Sequence, residues 1–412
     1  MPEKKIFNRL AKRLESMRDE MIELQMKLCA IPAIAPASGG EGEAKKAEFL
    51  ENYLRQSGFT DLQLIKAPDV EAPSGYRPNI LAFYRGHDSS RTVWVMTHLD
   101  VVPPGELAQW RGDPFKAWVE KGRIYGRGVE DNQQDMVASI FAVKALIAEG
   151  LKPSYDVGLA LVADEETGSQ KGIEYVLYNT EVFRPDDLII VPDAGNSQGT
   201  MIEVAEKSIL WLKIRTLGKQ AHGSTPEKGL NSFKAASFLI TELQKLYRIF
   251  NKKDRLFSPP ISTFEPTKKE ANVPNINTIP GEDVFYMDCR ILPLYSVEQV
   301  LKTAAKIAAG IEKKFRVKIE MGLVQKAPAA PPTSPRAKVV QALKKAVREV
   351  YHREARAMGI GGGTVAALFR RAGFEAACWS RLDETAHMPN EYCIIDNMVG
   401  DAKVFAHIFL QE

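Results

Sequence analysis

Three apolar runs in this chain end on acids or an imidazole, and that repetition constrains the fold more than any other feature. Val93-Trp94-Val95-Met96 leads into Thr97-His98-Leu99-Asp100, and Leu159-Ala160-Leu161-Val162-Ala163 leads into Asp164-Glu165-Glu166-Thr167-Gly168. Leu188-Ile189-Ile190-Val191-Pro192 leads into Asp193-Ala194-Gly195. Short apolar runs bounded by turn residues read as buried strands. From about Asn79 to Ala194 such runs alternate with helical stretches, one of them from about Asn132 to Ala148. That alternation predicts an α/β layered domain, in which ligands collect at the carboxyl ends of the strands. A His-x-Asp step there puts an imidazole at the mouth of the sheet, with a carboxylate near enough to orient it.

Two further segments add the same chemistry: Gly126-Arg127-Gly128-Val129-Glu130-Asp131, and Thr385-Ala386-His387-Met388-Pro389-Asn390-Glu391. Taken alone, His98 reads as a hydrogen-bonded structural histidine and Asp164-Glu165-Glu166 as a solvated acidic turn. Taken together they do not, because carboxylates are costly to desolvate side by side unless cations or donors neutralise them. Two histidines with three or four carboxylates form a borderline donor set that suits a pair of zinc ions.

In this order, from about Met21 onward, the motifs resemble those of the zinc-dependent metallopeptidase and deacylase family. That family includes acetylornithine deacetylase, succinyl-diaminopimelate desuccinylase, aminoacylase, carboxypeptidase G and carnosinase. The resemblance implies that His98 and Asp193 hold one metal, Glu166 and His387 the other, and that Asp131 bridges them. It implies Asp100 as the support of His98, Glu165 as general base and a cis peptide at Asp131–Asn132. The implied cofactor is two divalent ions per subunit, zinc by preference, with cobalt or manganese able to take the same ligands. A water bridging two such ions is hydroxide-like near neutral pH. Glu165 would take its proton and return it to the leaving amine. Adjacent Glu165 and Glu166 would face opposite ways in a strand, so they share one site only if the strand has ended, as Thr167-Gly168 indicates.

After Ala194 the order changes. Ile209 to Arg215 reads as an alternating strand, followed by a helix near Ser232 to Ile249 and two strands ending with Asp283 to Ile291. A helix from about Val297 to Lys314 and a strand near Val317 to Leu323 complete a βαββαβ order. It resembles a ferredoxin-like module, inserted into a zinc-peptidase-like domain with a mainly parallel sheet. The expected organisation is a catalytic domain over 1–205 and 326–412, with a lid and dimerisation domain over 206–325. Proline-rich Ala327 to Pro335 would lead back, and helices near Arg336 to His352 and Met398 to Leu410 would follow.

The inserted module also carries motifs. Ala221-His222-Gly223-Ser224-Thr225-Pro226 resembles the family motif whose histidine hydrogen-bonds the substrate carbonyl, in dimeric relatives from the partner subunit. A homodimer through this module is therefore implied, with His222 in cis or from the partner left open. Asn277 and Arg290 match positions that contact substrate in several relatives; for Arg290 a structural ion pair with Asp288 is the alternative. Gly361-Gly362-Gly363-Thr364 resembles the loop that holds the substrate carboxylate, or else is a plain tight turn.

Composition excludes other classes. Of 412 residues, 45% are hydrophobic and 26% charged, as in soluble globular proteins. A formal net charge of +3 is too small for a dedicated nucleic-acid binder, and the Arg248, Lys252, Lys253, Arg255 cluster reads as a solvated helix end. No apolar run approaches the ~20 residues of a membrane span. The N-terminal segment is too charged for a signal peptide, and four scattered cysteines without a Cys-x-x-Cys pair point to reduced thiols and a cytoplasmic enzyme. Gly195-Asn196-Ser197-Gln198-Gly199 fits the serine-hydrolase pattern, but that pattern needs a following helix, and Thr200 to Val204 reads as extended.

The substrate is less constrained. His98-Leu99-Asp100-Val101-Val102-Pro103 and the Ala386-to-Tyr392 loop look like the desuccinylase and acetylornithine branch. Asp193 looks like the dipeptidases, and Gln133-Gln134 replaces the family's usual Lys-Gly. The expectation is a metal-dependent amidohydrolase acting on an N-acyl amino acid, with a carnosinase-like di- or tripeptidase as the alternative. A non-catalytic metal-binding relative is a third reading, against which Glu165 counts.

Overall fold

A computed structural model describes residues 2–412, with side chains from Lys4 onward. The chain forms two compact units. One comprises Met1–Val204, Pro332–Met358 and Thr364–Glu412; the other comprises Ala205–Pro331 and Gly359–Gly363.

The first unit is built on a mixed sheet of eight strands. Their spatial order is Asp61–Pro68, Tyr76–Tyr84, Tyr155–Val162, Asp88–His98, Leu188–Val191, Ala376–Cys378, Met201–Glu206, Arg356–Ile360. The centre is parallel: Asp88–His98 pairs in parallel with Tyr155–Val162 on one side and Leu188–Val191 on the other, and Ala376–Cys378 continues the run. Antiparallel strands flank it. Strands buried on both faces need apolar side chains at every position rather than alternating ones. Thr92 to His98 and Asp156 to Val162 are accordingly buried throughout. Because the central strands run the same way, His98, Val162 and Val191 all end at one edge of the sheet. In register His98 lies opposite Val162, and the Leu99 amide donates to the Val162 carbonyl at 2.7 Å.

Helix Gln133–Ala148 has apolar residues all round and is buried along nearly its whole length. It packs between the central strands and helices Pro2–Ser16, Arg18–Cys29 and Ile395–Phe409. A small antiparallel sheet of Trp118–Glu120, Arg123–Tyr125 and Tyr392–Ile394 joins the Gly126 loop to the segment after His387.

The longer elements of the second unit run strand, helix, strand, strand, helix, strand, beside a two-stranded pair of Ala221–His222 and Thr278–Ile279. A four-stranded antiparallel sheet has the spatial order Thr263–Lys269, Glu282–Ile291, Ser208–Leu217, Lys318–Ala327. Leu210, Leu212 and Ile214 alternate inward on the Ser208–Leu217 strand and meet Ala235, Ala236 and Leu239 of one helix and Val300, Ala304 and Ile311 of the other. The second helix, Val297–Phe315, starts on a capping box of Ser296 and Gln299. The expected helix over Ser232 to Ile249 is two helices, Ser232–Leu243 and Lys245–Ile249, with the break at Gln244. Beyond the break, Leu246 and Phe250 both pack into the core, which tertiary burial favours over a straight amphipathic helix.

Among the described residues no helix is long and apolar enough to cross a membrane, and the four cysteines are buried and unpaired. In the central sheet, Trp94 is fully buried against Phe83, with ring centroids 5.2 Å apart, and donates from Nε1 to Asp187 at 2.9 Å. A Cβ at Gly158 on the neighbouring strand would overlap the Trp94 ring. Gly158→Ala should therefore cost about 1–3 kcal/mol of stability by overpacking, read as a lowered denaturation midpoint with unchanged far-UV circular dichroism.

Candidate metal centre

All the acids and imidazoles of the strand-end motifs lie in the first unit, and the fold gathers them. His98 Nε2 lies 2.9 Å from Asp131 Oδ1 and 3.7 Å from Asp193 Oδ1. His387 Nε2 lies 3.1 Å from Asp131 Oδ2 and 3.0 Å from Glu166 Oε2. Two ligand groups result, His98 with Asp131 and Asp193, and Asp131 with Glu166 and His387; they share Asp131, one oxygen turned to each imidazole.

Local structure explains how each side chain arrives. Asp131 follows the Gly126–Glu130 turn, and its peptide bond to Asn132 is cis. Asn132, at the start of the buried helix, spends its side chain on the site rather than on a helix cap. Its Oδ1 accepts the His98 amide at 3.3 Å, and its Nδ2 donates to the Pro192 carbonyl at 2.7 Å and to Asp193 Oδ1 at 3.3 Å. One amide thereby ties two strand ends to the Asp131 segment. Asp164 ends its strand in the left-handed region at φ 64°, held by Arg77 at 3.3 Å and by the Lys171 amide at 2.8 Å. The following Glu165–Thr167 segment is a single 3₁₀ turn, so the two glutamates escape strand alternation. Asp100 fastens that turn: its two carboxylate oxygens accept the Glu165 and Glu166 amides at 3.1 and 3.0 Å. The nearest acceptor for His98 Nδ1 is the Asp100 backbone carbonyl at 3.0 Å, with the carboxylate at 3.5 Å.

The electrostatics are those of an anion cluster short of cations. Burial works against a charged His98, yet bonds to Asp100, Asp131 and Asp193 raise its pKa well above the usual value. Bonds to Asp131 and Glu166 raise His387 to about 10. Burial would raise the Asp131 carboxyl, but the two imidazoles overcome it and hold it below the ordinary range. Burial first, and then the charge of Asp193, push the Glu165 carboxyl well above its ordinary value. Glu165 belongs to neither ligand group, so it is a carboxylate beside the cluster rather than in it. Nitrogen and oxygen donors with this charge deficit fit borderline divalent ions.

Two buried glutamates in the motifs had no role assigned from sequence. Glu391 Oε1 accepts the amides of Glu130 and Asp131 at 2.9 and 3.1 Å, and its Oε2 accepts the Gly128 amide at 3.0 Å and Arg127 Nη1 at 2.7 Å. Glu130 accepts the Asp383 amide at 2.6 Å, the Thr385 hydroxyl at 2.8 Å and the Thr385 amide. Their position next to Asp131 and after His387 was the one available signal. Gln134, part of the departure from Lys-Gly, donates to the Arg381 carbonyl and to Asp401, both at 3.0 Å, while Asp135 accepts from Ser380 at 2.6 Å. The departure thus ties the buried helix to the segment ahead of His387.

The remaining candidates are in the second unit, apart from Thr364. His222 pairs with Thr278, and the Gly223 amide donates to the Asn277 carbonyl at 2.6 Å, so His222 and Asn277 share one exposed tip. Arg290 makes a two-pronged ion pair with Asp288 at 2.7 and 3.0 Å and donates from Nη1 to the Gly361 carbonyl at 2.9 Å. Gly361, Gly362 and Gly363 border open space, and Thr364 lies beside Cys378 at 3.4 Å. The helix after this loop is short, Ala366–Arg371. Ser197 precedes a strand, Met201–Glu206, and not a helix.

Residues 94–411 match the model of peptidase family M20/M25/M40, and the chain belongs to that family. It is thus a metallohydrolase that acts on amide bonds, and membership implies divalent-metal binding. It is 39% identical over 405 residues to an uncharacterized metallohydrolase of Methanocaldococcus jannaschii, covering 95% of this chain and 98% of that one. It is 26% identical over 377 residues to a succinyl-diaminopimelate desuccinylase of Nitratiruptor sp., covering 90% and 94%. Its fold is similar to that of human carnosine dipeptidase 1, with a TM-score of 0.72 at 18% identity over 98% of both chains.

The raised imidazoles set a sign. The folded metal-free protein keeps a proton on His387 up to about pH 10, whereas an unfolded histidine releases it near pH ~6.5. The stability His387 contributes without metal is full below the unfolded value and is lost as pH rises through the folded one. Ligation requires neutral imidazoles, so adding zinc to chelator-treated protein near neutral pH should release about two protons per molecule. Potentiometric titration in weak buffer should show this, and the His387→Gln variant should release fewer.

Proposed function

We propose that this protein removes the acyl group from an N-acyl amino acid by hydrolysing its amide, in the manner of a desuccinylase or acetylornithine deacetylase. The observation that carries the reading is the pair of ligand groups joined at Asp131, with Glu165 beside them and outside both. His98, Asp131 and Asp193 would hold one divalent ion, and Asp131, Glu166 and His387 a second, zinc being the best match to two imidazoles and carboxylates. When bound, such ions supply a Lewis acid and lower the pKa of a coordinated water.

The chain's own residues supply the proton traffic and the positioning. Glu165 is the general base: it stands beside both ligand groups and belongs to neither, which leaves its carboxylate to take a proton from water and pass it to the departing amine. Asp100 is the positioning residue, since its carboxylate fixes the turn from which Glu165 and Glu166 project. His222 suits a different task. Its Nδ1 lies 2.8 Å from the Ser224 hydroxyl and 3.2 Å from the Ser224 amide, and in the tautomer where it accepts from both, the ring proton on Nε2 is a donor for a substrate carbonyl. Asn277 at the same tip, Arg290 and the Gly362-Gly363-Thr364 segment are assigned to substrate binding, the last to a carboxylate. Strand order and helix placement in the second unit support a ferredoxin-like insertion over roughly 206–325 of the chain, to which the family resemblance assigns the lid and homodimer contact. Buried, unpaired cysteines support a reducing, cytoplasmic setting.

A second reading, di- or tripeptidase, is favoured by Asp193 in the ligand group and by the fold shared with a carnosine dipeptidase. The two separate in one assay. Zinc-loaded protein is offered N-succinyl-diaminopimelate, N-acetylornithine, other N-acyl amino acids and unblocked dipeptides, with chelator controls. Cleavage of the acylated compounds alone supports the deacylase; preference for free dipeptides overturns it. Glu165→Gln should keep both metals and lose turnover by about 10²–10⁴-fold, with metal content measured on the same sample.

A further inference from the structure

We propose that Glu130 and Glu391 form a reciprocal clasp of positioning residues, and that its two arms act unequally on the two ligand groups. The inference rests on the reading that those groups hold metal ions. Each glutamate stands close to one ligand in sequence and spends its carboxylate on the segment that carries the other. Glu130 directly precedes Asp131, yet it accepts the Asp383 amide, the Thr385 amide and the Thr385 hydroxyl, just ahead of His387. Glu391 follows His387, yet it accepts the amides of Gly128, Glu130 and Asp131 and is paired with Arg127. Both carboxylates are buried. Their donors are mostly backbone amides of the opposite loop, so either carboxylate is satisfied only when both loops are in register. A buried carboxylate stripped of such donors is costly, so each arm holds the loop it reaches.

The inequality follows from what else holds each ligand. His98 and Asp193 leave the ends of paired strands and are tied together through Asn132. Asp131 is held from the amide side by Glu391. His387 sits on an open loop in the left-handed region at φ 63°, with its side chain 55% exposed. The Glu391 arm therefore bears on Asp131 and so on both ligand groups. The Glu130 arm bears on the His387 loop and so on one group.

The test is metal titration of parent, Glu130→Gln, Glu391→Gln and the double variant, followed by competition with a chromophoric chelator and by the visible spectrum of the cobalt-substituted proteins. In the Glu130→Gln variant one equivalent should weaken by about 10–100-fold and the other stay at the parent value, with only one cobalt band set altered. In Glu391→Gln both equivalents should weaken. The double variant should weaken both equivalents, with the one on the His387 side weakened at least as far as in either single variant, since it loses both arms. Thr385→Val removes the hydroxyl that reaches Glu130 and also accepts the Tyr392 amide, both contacts bearing on the His387 loop, and should reproduce the Glu130→Gln pattern in milder form, which keeps the test usable if a glutamate variant fails to fold. Equal weakening of both equivalents in Glu130→Gln and Thr385→Val, or parent-like affinities in all variants, would overturn the clasp. A parent that binds fewer than two ions would instead overturn the metal reading on which it rests.

Discussion

Four carboxylates crowd at one edge of a parallel sheet, and their mutual repulsion is the constraint that the surrounding structure answers. Asp131, Glu165, Glu166 and Asp193 meet two imidazoles and, among the described residues, no lysine or arginine that pairs with any of the four. At the few ångströms involved, unscreened like charges would cost several kcal/mol per pair even with an effective dielectric near ~20. The answer comes from one layer further out. Asp100 points its oxygens at two backbone amides, Glu391 at three, and Asn132 spans three chain segments. The cations stand in that outer layer too, Arg127 on Glu391 and Arg77 on Glu43 and Asp164. The geometry of the cluster is thus fixed by neutral donors and remote charges, which leaves the ligand oxygens themselves available.

What could be read from sequence, and what could not, divides along the same line. The strand ends were legible because burial on both faces writes an uninterrupted apolar run, and a polar residue directly after it has only one edge to occupy. The helix over Gln133–Ala148 was legible for a similar reason. Glu130 and Glu391 were in plain view but carried no readable role, because a carboxylate that accepts backbone amides leaves no pattern in the residues it contacts. Their partners lie more than 250 positions away in the chain. The dual service of Asp100 was hidden for the same cause. The break at Gln244 was missed because amphipathic spacing continues through it, and only the packing of Leu246 and Phe250 distinguishes two helices from one. Arg290, open between two readings, lies in the ion pair with Asp288 and also reaches the glycine loop carbonyl at Gly361.

The departure at Gln133-Gln134 gains a physical account. These residues begin a helix enclosed on all sides, where a lysine would need a buried counter-charge. Gln133 holds the lysine's place with a neutral side chain, while Gln134, in the glycine's place, bridges a carbonyl and Asp401, and Asp135 is met by the Ser380 hydroxyl. The segment ahead of His387 is therefore anchored to the same helix whose N-cap residue, Asn132, positions Asp193. Divergence at these positions changes how the loops are fastened and leaves the ligand types as they were.

The small antiparallel sheet that joins Arg123–Tyr125 to Tyr392–Ile394 has a consequence for biosynthesis. Strand Tyr392–Ile394 closes over Gly126 from the far end of the chain, the Gly126 amide donating to the Glu391 carbonyl at 3.0 Å. During translation, the segment around Asp131 leaves the ribosome long before its closing partner exists. A nascent chain paused ahead of Asp383 already carries His98, Asp131, Glu165 and Asp193, but it lacks both His387 and the carboxylate that fixes the Asp131 amide. The Asp131 amide therefore has no Glu391 acceptor until the closing segment has emerged.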